Sequence, residues 1–177
     1  MIGTDRLRLR PWRESDLEFL QSLRNDIELQ ALLLAAARGS SVLAIRKWLD
    51  LKSSSADSFF FIAELSQTNE LIGYIQLCAV ANADKTIQFG VCLATQYWSN
   101  GYGAELLQGI EKYLQIHHDT RKIMLHVDAT NSRAVSCYRK LGYREVGIMR
   151  SHVRVQARLC DVLIMEKLTS RETEGVI

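Results

Sequence analysis

With 177 residues, 47% apolar and 24% charged, the chain has room for one domain with a sizeable core and too little for two. Its net charge of +2 gives no broad field for nucleic acid or a membrane surface, so neither is expected as a partner. No apolar run follows Met1, and the longest apolar-dense stretch, LQALLLAAA, falls far short of the roughly 20 residues of a membrane span, so neither a signal peptide nor a spanning helix is expected. Cys78, Cys92, Cys137 and Cys160 are widely spaced and show no Cys/His ligand spacing, which points to reduced, buried thiols in a cytoplasmic protein without a metal.

In chain order, Arg6–Arg10 alternates, with Leu7 and Leu9 on one face and the arginines on the other, and reads as a first strand stopped at Pro11. Ser15 and Glu18 have capping-box spacing ahead of a short helix built on Leu17, Leu20 and Leu23. The stretch 25–39 is helix-prone but apolar all round, and a second helix is expected over Val42–Leu51. Lys52–Asp57 reads as a serine-rich turn. Ser58–Leu65, Glu70–Ala79 and Thr86–Ala94 then read as an antiparallel meander, with a turn over Ala81–Lys85. A long helix carries Leu106, Leu107, Ile110, Tyr113 and Leu114 on one stripe and ends at His117 and His118, where cations suit the helix terminus. Arg121–Asp128 is a fifth strand, Asn131–Leu141 a further helix capped by Gly142, and Tyr143–Met149 and Leu159–Leu168 close the sheet before a frayed tail, 169–177.

The chemistry concentrates where the strand TIQFGVCLA passes through the loop TQYWSNGYGA into the long helix. The first turn of a helix presents unpartnered N–H groups at the positive end of the macrodipole, and glycines let the backbone approach a phosphate. A P-loop is ruled out because Tyr102, not lysine, follows Gly101, and a dinucleotide fingerprint fits poorly because Leu106 stands where a third glycine is needed.

The loop resembles the acyl-CoA loop of the GNAT acetyltransferase superfamily, whose pattern is Gln/Arg-x-x-Gly-x-Gly/Ala. Gly101 and Gly103 match its small positions, Trp98 replaces the usual Gln or Arg, and Ser99 replaces a frequent glycine. Tryptophan there is common in the branch that acetylates ribosomal-protein N-termini and related amines. A second stretch, VDATNSRAVSCYRKLGYREVG, resembles the closing signature of the same family through Asn131, Tyr138, Leu141, Gly142 and Tyr143. The resemblance covers essentially the whole chain. It implies a single α/β (α+β) domain over 1–168 with the order β-α-α-β-β-β-α-β-α-β-β: a mixed, mostly antiparallel seven-stranded sheet with helices on both faces, whose fourth and fifth strands splay apart to admit pantetheine.

By that resemblance the protein is an N-acetyltransferase that moves the acetyl group of acetyl-CoA to a peptide or protein N-terminus or a small amine by direct attack, without a metal. Leu93 would offer backbone hydrogen bonds to pantetheine, and Trp98, Ser99, Asn100, Gly101, Tyr102, Gly103 and Ala104 would hold the diphosphate. Asn131 would bind the carrier arm or cap its helix. Tyr138 is expected as the general acid, because a phenol with a pKa of about 10 can protonate a thiolate of similar basicity. His126, twelve residues before it, is the candidate base, with Glu64 as rival. Gln88 stands where relatives often carry an acid, which brings in a proton relay through water. Cys137 reads as packing. The acceptor pocket is expected between Asn25–Ser41, which is apolar, and a hairpin loop over Arg150–Arg158 with Arg150, His152, Arg154 and Arg158. Few acids in these walls argue against a polyamine, and the basic rim suits an acceptor bearing carboxylate or phosphate, amino sugars included. A non-catalytic acyl-CoA-binding module and O-acetyl transfer to a sugar are the alternative readings. Dimers are frequent among relatives, so a homodimer is compatible with the sequence.

Overall fold

Period-two patterning makes the sheet of this protein, and the order in which its strands pair makes the site. The computed structural model describes residues 1–54, 58–81 and 84–169. Parts of the expected serine-rich and Ala81–Lys85 turns, at 55–57 and 82–83, and the tail at 170–177 lie outside them. Eight strands, β1 (Ile2–Gly3), β2 (Leu7–Arg10), β3 (Ser58–Leu65), β4 (Leu71–Ala81), β5 (Thr86–Leu93), β6 (Lys122–Asp128), β7 (Arg144–Val155) and β8 (Arg158–Leu168), form one sheet in the order β1-β2-β3-β4-β5-β6-β8-β7. Among the described residues five α-helices accompany them: α1 (Leu17–Asn25), α2 (Ile27–Leu32), α3 (Val42–Ser53), α4 (Tyr102–His117) and α5 (Ser132–Lys140).

The helices divide between the two faces of the sheet. Leu106, Leu107, Ile110 and Leu114 of α4 and Val135 and Tyr138 of α5 pack with Leu7, Leu9, Ile87, Phe89, Leu125 and Met165 on one side. Leu17, Leu20 and Leu23 of α1, Leu29 of α2 and Ile45 and Leu49 of α3 pack with Phe60, Ile62, Tyr74 and Cys92 on the other. Alternation along each strand assigns its two sets of side chains to the two cores.

Five expectations are corrected. The sheet gains an eighth strand because Ile2 and Gly3 pair antiparallel with Leu9 and Arg8, a contact too short to leave a sequence pattern. The apolar stretch after Asn25 starts its own helix, α2, because Asp26 accepts the Leu29 N–H at 2.9 Å and caps it. Ser15 caps nothing: a short 3₁₀ turn over Glu14–Asp16 precedes α1, and Asp16 accepts the Arg13 N–H at 2.7 Å. Most of the expected hairpin loop at Arg150–Arg158 is strand, since β7 continues to Val155 through a bulge between Met149 and Val153. Cys78 is exposed rather than buried, while Cys92 and Cys160 are buried. No helix among the described residues is long and apolar enough to cross a membrane.

A buried ionic network ties β2 to β3. Arg10 donates to Asp16 through both terminal nitrogens (2.8 and 2.9 Å) and to Glu64 through Nε (2.7 Å), while Arg8 Nε donates to the other Glu64 oxygen (2.6 Å). Burial alone would raise the Glu64 carboxyl, but the hydrogen bonds from Arg10 and Arg8 outweigh it and hold the group below its ordinary value. Stability from Glu64 is therefore full above the unfolded carboxyl value of about 4.5 and is lost as pH falls through the lower folded value. Glu64→Gln is expected to lower unfolding stability by about 3 kcal/mol, because it leaves buried arginine charge uncompensated. Denaturant unfolding at pH 7 and pH 4 measures this, with a smaller difference at pH 4.

Candidate active site

β5 and β6 run parallel and pair from Thr86 with Lys122 to Phe89 with Leu125, where the ladder stops. β5 continues to Leu93 against Gly73 of β4, and β6 continues to Asp128 against Val162 of β8. The two strands thus part beyond Phe89 and Leu125. The Ala94 N–H donates to the Ile72 carbonyl at 2.9 Å, toward β4. Backbone groups alternate along a strand, so the N–H and C=O of Leu93 and Val91 point the other way, into the gap. A Cβ on Gly73 would lie 2.1 Å from the Cys92 carbonyl oxygen, so the close seating of β4 on β5 beside the gap requires glycine. Sequence alone gave no reason to single it out.

The gap opens into a cavity of about 490 Å³. Its lining comes from both faces of the sheet: Leu107, Val127, Ala134 and Tyr138 on the α4/α5 side, and Leu29 and Cys92 on the α1–α3 side. The loop leading into α4 forms one end. Gly101 is the N-cap of α4 with φ +80°, a left-handed conformation that suits glycine. Glu105 N–H makes the bond to the Gly101 carbonyl (3.1 Å), so the amides of Tyr102, Gly103 and Ala104 precede the helical ladder. A Cβ on Gly103 would meet only Leu93 Cδ1 at 3.6 Å, an ordinary contact. The protein's own packing tolerates a side chain at Gly103, so its absence keeps space open in the cavity that Gly103 lines.

The loop is braced from outside. The Glu105 carboxylate accepts from Thr4 Oγ1 (2.6 Å), Arg6 N–H (2.7 Å) and Arg6 Nε (2.7 Å), and Arg6 also donates to the Asn100 carbonyl at 3.1 Å. The Arg6 guanidinium lies 4.5 Å from the centre of the Tyr102 ring. Trp98 donates its indole N–H to the Leu93 carbonyl at 2.8 Å, and the Arg133 guanidinium sits 3.4 Å from the centre of one of its rings. Leu93, Trp98, Ser99, Gly101, Tyr102, Gly103, Ala104 and Asn131 all line the cavity. Asn100 does not: its side-chain amide donates to the Trp98 carbonyl at 3.2 Å, and it holds the loop's shape.

Asn131 caps α5, accepting the Ala134 N–H at 3.2 Å. Fully buried Asp128 sets that cap in place. Its Oδ1 accepts from Thr130 N–H (2.8 Å) and Thr130 Oγ1 (2.7 Å), and its Oδ2 from Arg158 Nη2 (2.5 Å). Arg158 is therefore engaged with Asp128 rather than standing loose on a rim. Arg133 and Lys140 of α5 supply the cationic lining. Sequence reading missed Arg133, although its place two residues after the Asn131 cap put it at the loop end of the helix.

Tyr138 lines the cavity and is nearly buried, its ring 5.8 Å from that of Phe89. Burial, then the neighbouring Cys137, push its hydroxyl well above the ordinary value, so it keeps its proton at neutral pH. Cys137 also lines the cavity, and burial raises its thiol, which leaves little thiolate for nucleophilic attack. His126 lies on the opposite face of β6 from Leu125 and Val127, exposed and outside the cavity lining, with Nδ1 3.4 Å from Gln88 Nε2. Partial desolvation of the ring against the sheet and the nearby His152 hold it below its ordinary 6.5, so it is neutral at pH 7. Glu64 is not brought to the site. Both of its oxygens are taken by arginines, it does not line the cavity, and its lowered value makes it a weak base.

The model of the acetyltransferase (GNAT) domain family matches residues 6–144, most of the chain. Among curated proteins, the chain is 29% identical over 108 residues to an N-alpha-acetyltransferase of Sulfurisphaera tokodaii, covering 54% of this chain and 62% of that one. It is 28% identical over 111 residues to a spermidine N(1)-acetyltransferase of Vibrio cholerae, covering 63% and 64%. The matched part thus spans somewhat less than two thirds of either relative. Among solved structures, the spermidine N-acetyltransferase of Vibrio cholerae in complex with CoA and spermine superposes with a TM-score of 0.86 at 24% identity, over 93% of this chain and 96% of that one. Parted parallel strands, a glycine-opened helix N-terminus at the gap and the domain match together show that the chain belongs to the GNAT acetyltransferase family.

Proposed function

We propose that this protein is an acetyl-CoA-dependent N-acetyltransferase that transfers acetyl to a primary amine by direct attack in a ternary complex. The observation that carries the reading is the cavity that passes through the parted strands, with a helix N-terminus at one end and the Tyr138 hydroxyl along its wall. The residues fit the carrier. Amides of Tyr102, Gly103 and Ala104 at the positive end of α4 suit a diphosphate, with Arg133 nearby. Gly103 leaves room for close approach, and the backbone of Val91 and Leu93 offers strand-like pairing to an extended amide chain. Acetyl-CoA supplies the thioester.

The sheet keeps the two proton-handling groups apart. Tyr138 stands on the α5 side and keeps its proton, which suits it to protonate a departing sulfur. His126 and Gln88 stand on the opposite face, the side of α2, where an amine would shed its proton. His126 is our candidate base, acting directly or through water. Gln88 cannot accept the proton, which is the one observation that favours a non-catalytic acyl-CoA-binding module.

Purified protein with acetyl-CoA and a panel of primary amines, read by thiol release, tests the proposal. Release that depends on the amine is the expected result, and tight CoA binding with no release for any amine would favour the binding module. Tyr138→Phe is expected to lower kcat about 100-fold with acetyl-CoA affinity within about twofold of wild type. An unchanged kcat would remove Tyr138 from the proton transfer. For His126 the sign is fixed by its neutral form being the active one. Wild-type kcat/KM is expected to fall on the acid side as pH drops through a value below 6.5, and His126→Ala to lose that limb at a lower overall rate. A variant that keeps the wild-type profile would hand the proton to water.

A further inference from the structure

The far end of the cavity carries information about the acceptor, given the acetyl-transfer reading on which this inference rests. On the α1–α3 side of the sheet the lining includes Leu29 and Leu32 of α2, Leu33 just beyond it, Cys92 of β5, Tyr97 and Trp98, whose ring carries the Arg133 guanidinium. Among the described residues no aspartate or glutamate lines the cavity, and both charged residues that do, Arg133 and Lys140, come from α5 on the other side of the sheet. The carboxylates near this end are engaged or exposed. Asp26 caps α2 by accepting the Leu29 N–H, and Glu28 is exposed. Cys92 and Tyr97 add no negative charge, since burial pushes each up to about 12.

We propose that the acceptor is a primary monoamine borne on an apolar carbon skeleton, and that a polyamine is a poor acceptor although the chain shares its fold with a spermidine acetyltransferase. A second ammonium group would lose its water in this cavity without a carboxylate to pair it, which disfavours its binding. An apolar skeleton gains instead from burial against Leu29, Leu32 and Leu33. The same walls serve the chemistry. Desolvation disfavours the charged form of an amine and lowers its pKa, so binding itself populates the neutral nucleophile. This fits a site in which the Glu64 carboxylate is locked in the sheet and a glutamine occupies position 88.

The test compares isopentylamine with spermidine on the wild-type protein. Steady-state kcat/KM is read by thiol release, and affinity for the protein–CoA complex by calorimetry. Isopentylamine is expected to lead by at least tenfold in both. Equal or better use of spermidine overturns the inference while leaving acetyl transfer intact. Binding of CoA with no binding of either amine overturns it as well, and failure to bind CoA overturns the function itself. Leu32→Glu, at a half-buried wall position, is expected to move the ratio toward spermidine at least fivefold. A folded, CoA-binding variant with an unchanged ratio counts against the proposal, and a variant that does not fold leaves the wild-type comparison to decide.

Discussion

The parting of two parallel strands is the constraint on which the rest of this structure depends. A parallel ladder satisfies backbone groups on both sides of each inner strand, and here it stops after four residue pairs, at Phe89 and Leu125. β5 remains held by β4 and β6 by β8, so neither strand can close the gap without breaking the pairing on its far side. Unpaired main-chain groups inside a protein cost free energy unless something takes them. Trp98 takes one, the Leu93 carbonyl, with its indole N–H. The remaining groups of Val91 and Leu93 face the cavity between the parted strands.

Such an opening needs rigid edges, and the sequence provides them at some distance. On one side Thr4 and Arg6, from the turn between β1 and β2, hold Glu105 in the first turn of α4 and the carbonyl of Asn100 in the loop. On the other, Asp128 gathers Thr130 and Arg158 and fixes the turn that delivers Asn131 to the start of α5. Trp98 and Arg133 bridge the two edges, one from the loop and one from the helix. The loop before α4 is therefore set by residues roughly a hundred positions away in the chain, and its amides are presented in order before any ligand arrives. Preorganisation of this kind lowers the ordering cost of binding.

Charge is distributed with the same economy. The buried carboxylates Glu64, Asp16 and Asp128 are each matched by arginine and serve the frame. The charged residues lining the cavity, Arg133 and Lys140, come from α5, while Leu29, Leu32 and Leu33 line it from the side of α2. Tyr138 stands on the α5 side of the sheet and His126 on the opposite face.

Much of this was legible in the residues. The alternation of Ile87, Phe89, Val91 and Leu93, the Gly101 and Gly103 pair and the stripe from Leu106 to Leu114 state a strand, a glycine loop and a helix in order, because each depends on neighbours in sequence. Asn131, Gly142 and the meander from β3 to β5 follow from the same local rules. What the tertiary structure alone decided was long-range. Glu64 looked like a free base until Arg8 and Arg10 on the adjacent strand were seen to hold both of its oxygens, and the carbonyl and side-chain amide of Asn100 are taken by Arg6 and the Trp98 carbonyl. Arg133 gained its place from the ring beneath it, and β7 ran on through a bulge that no period-two count can register. A sequence records which groups are present and which way they face along their own element. Which groups are already spent on one another is settled only when distant elements meet.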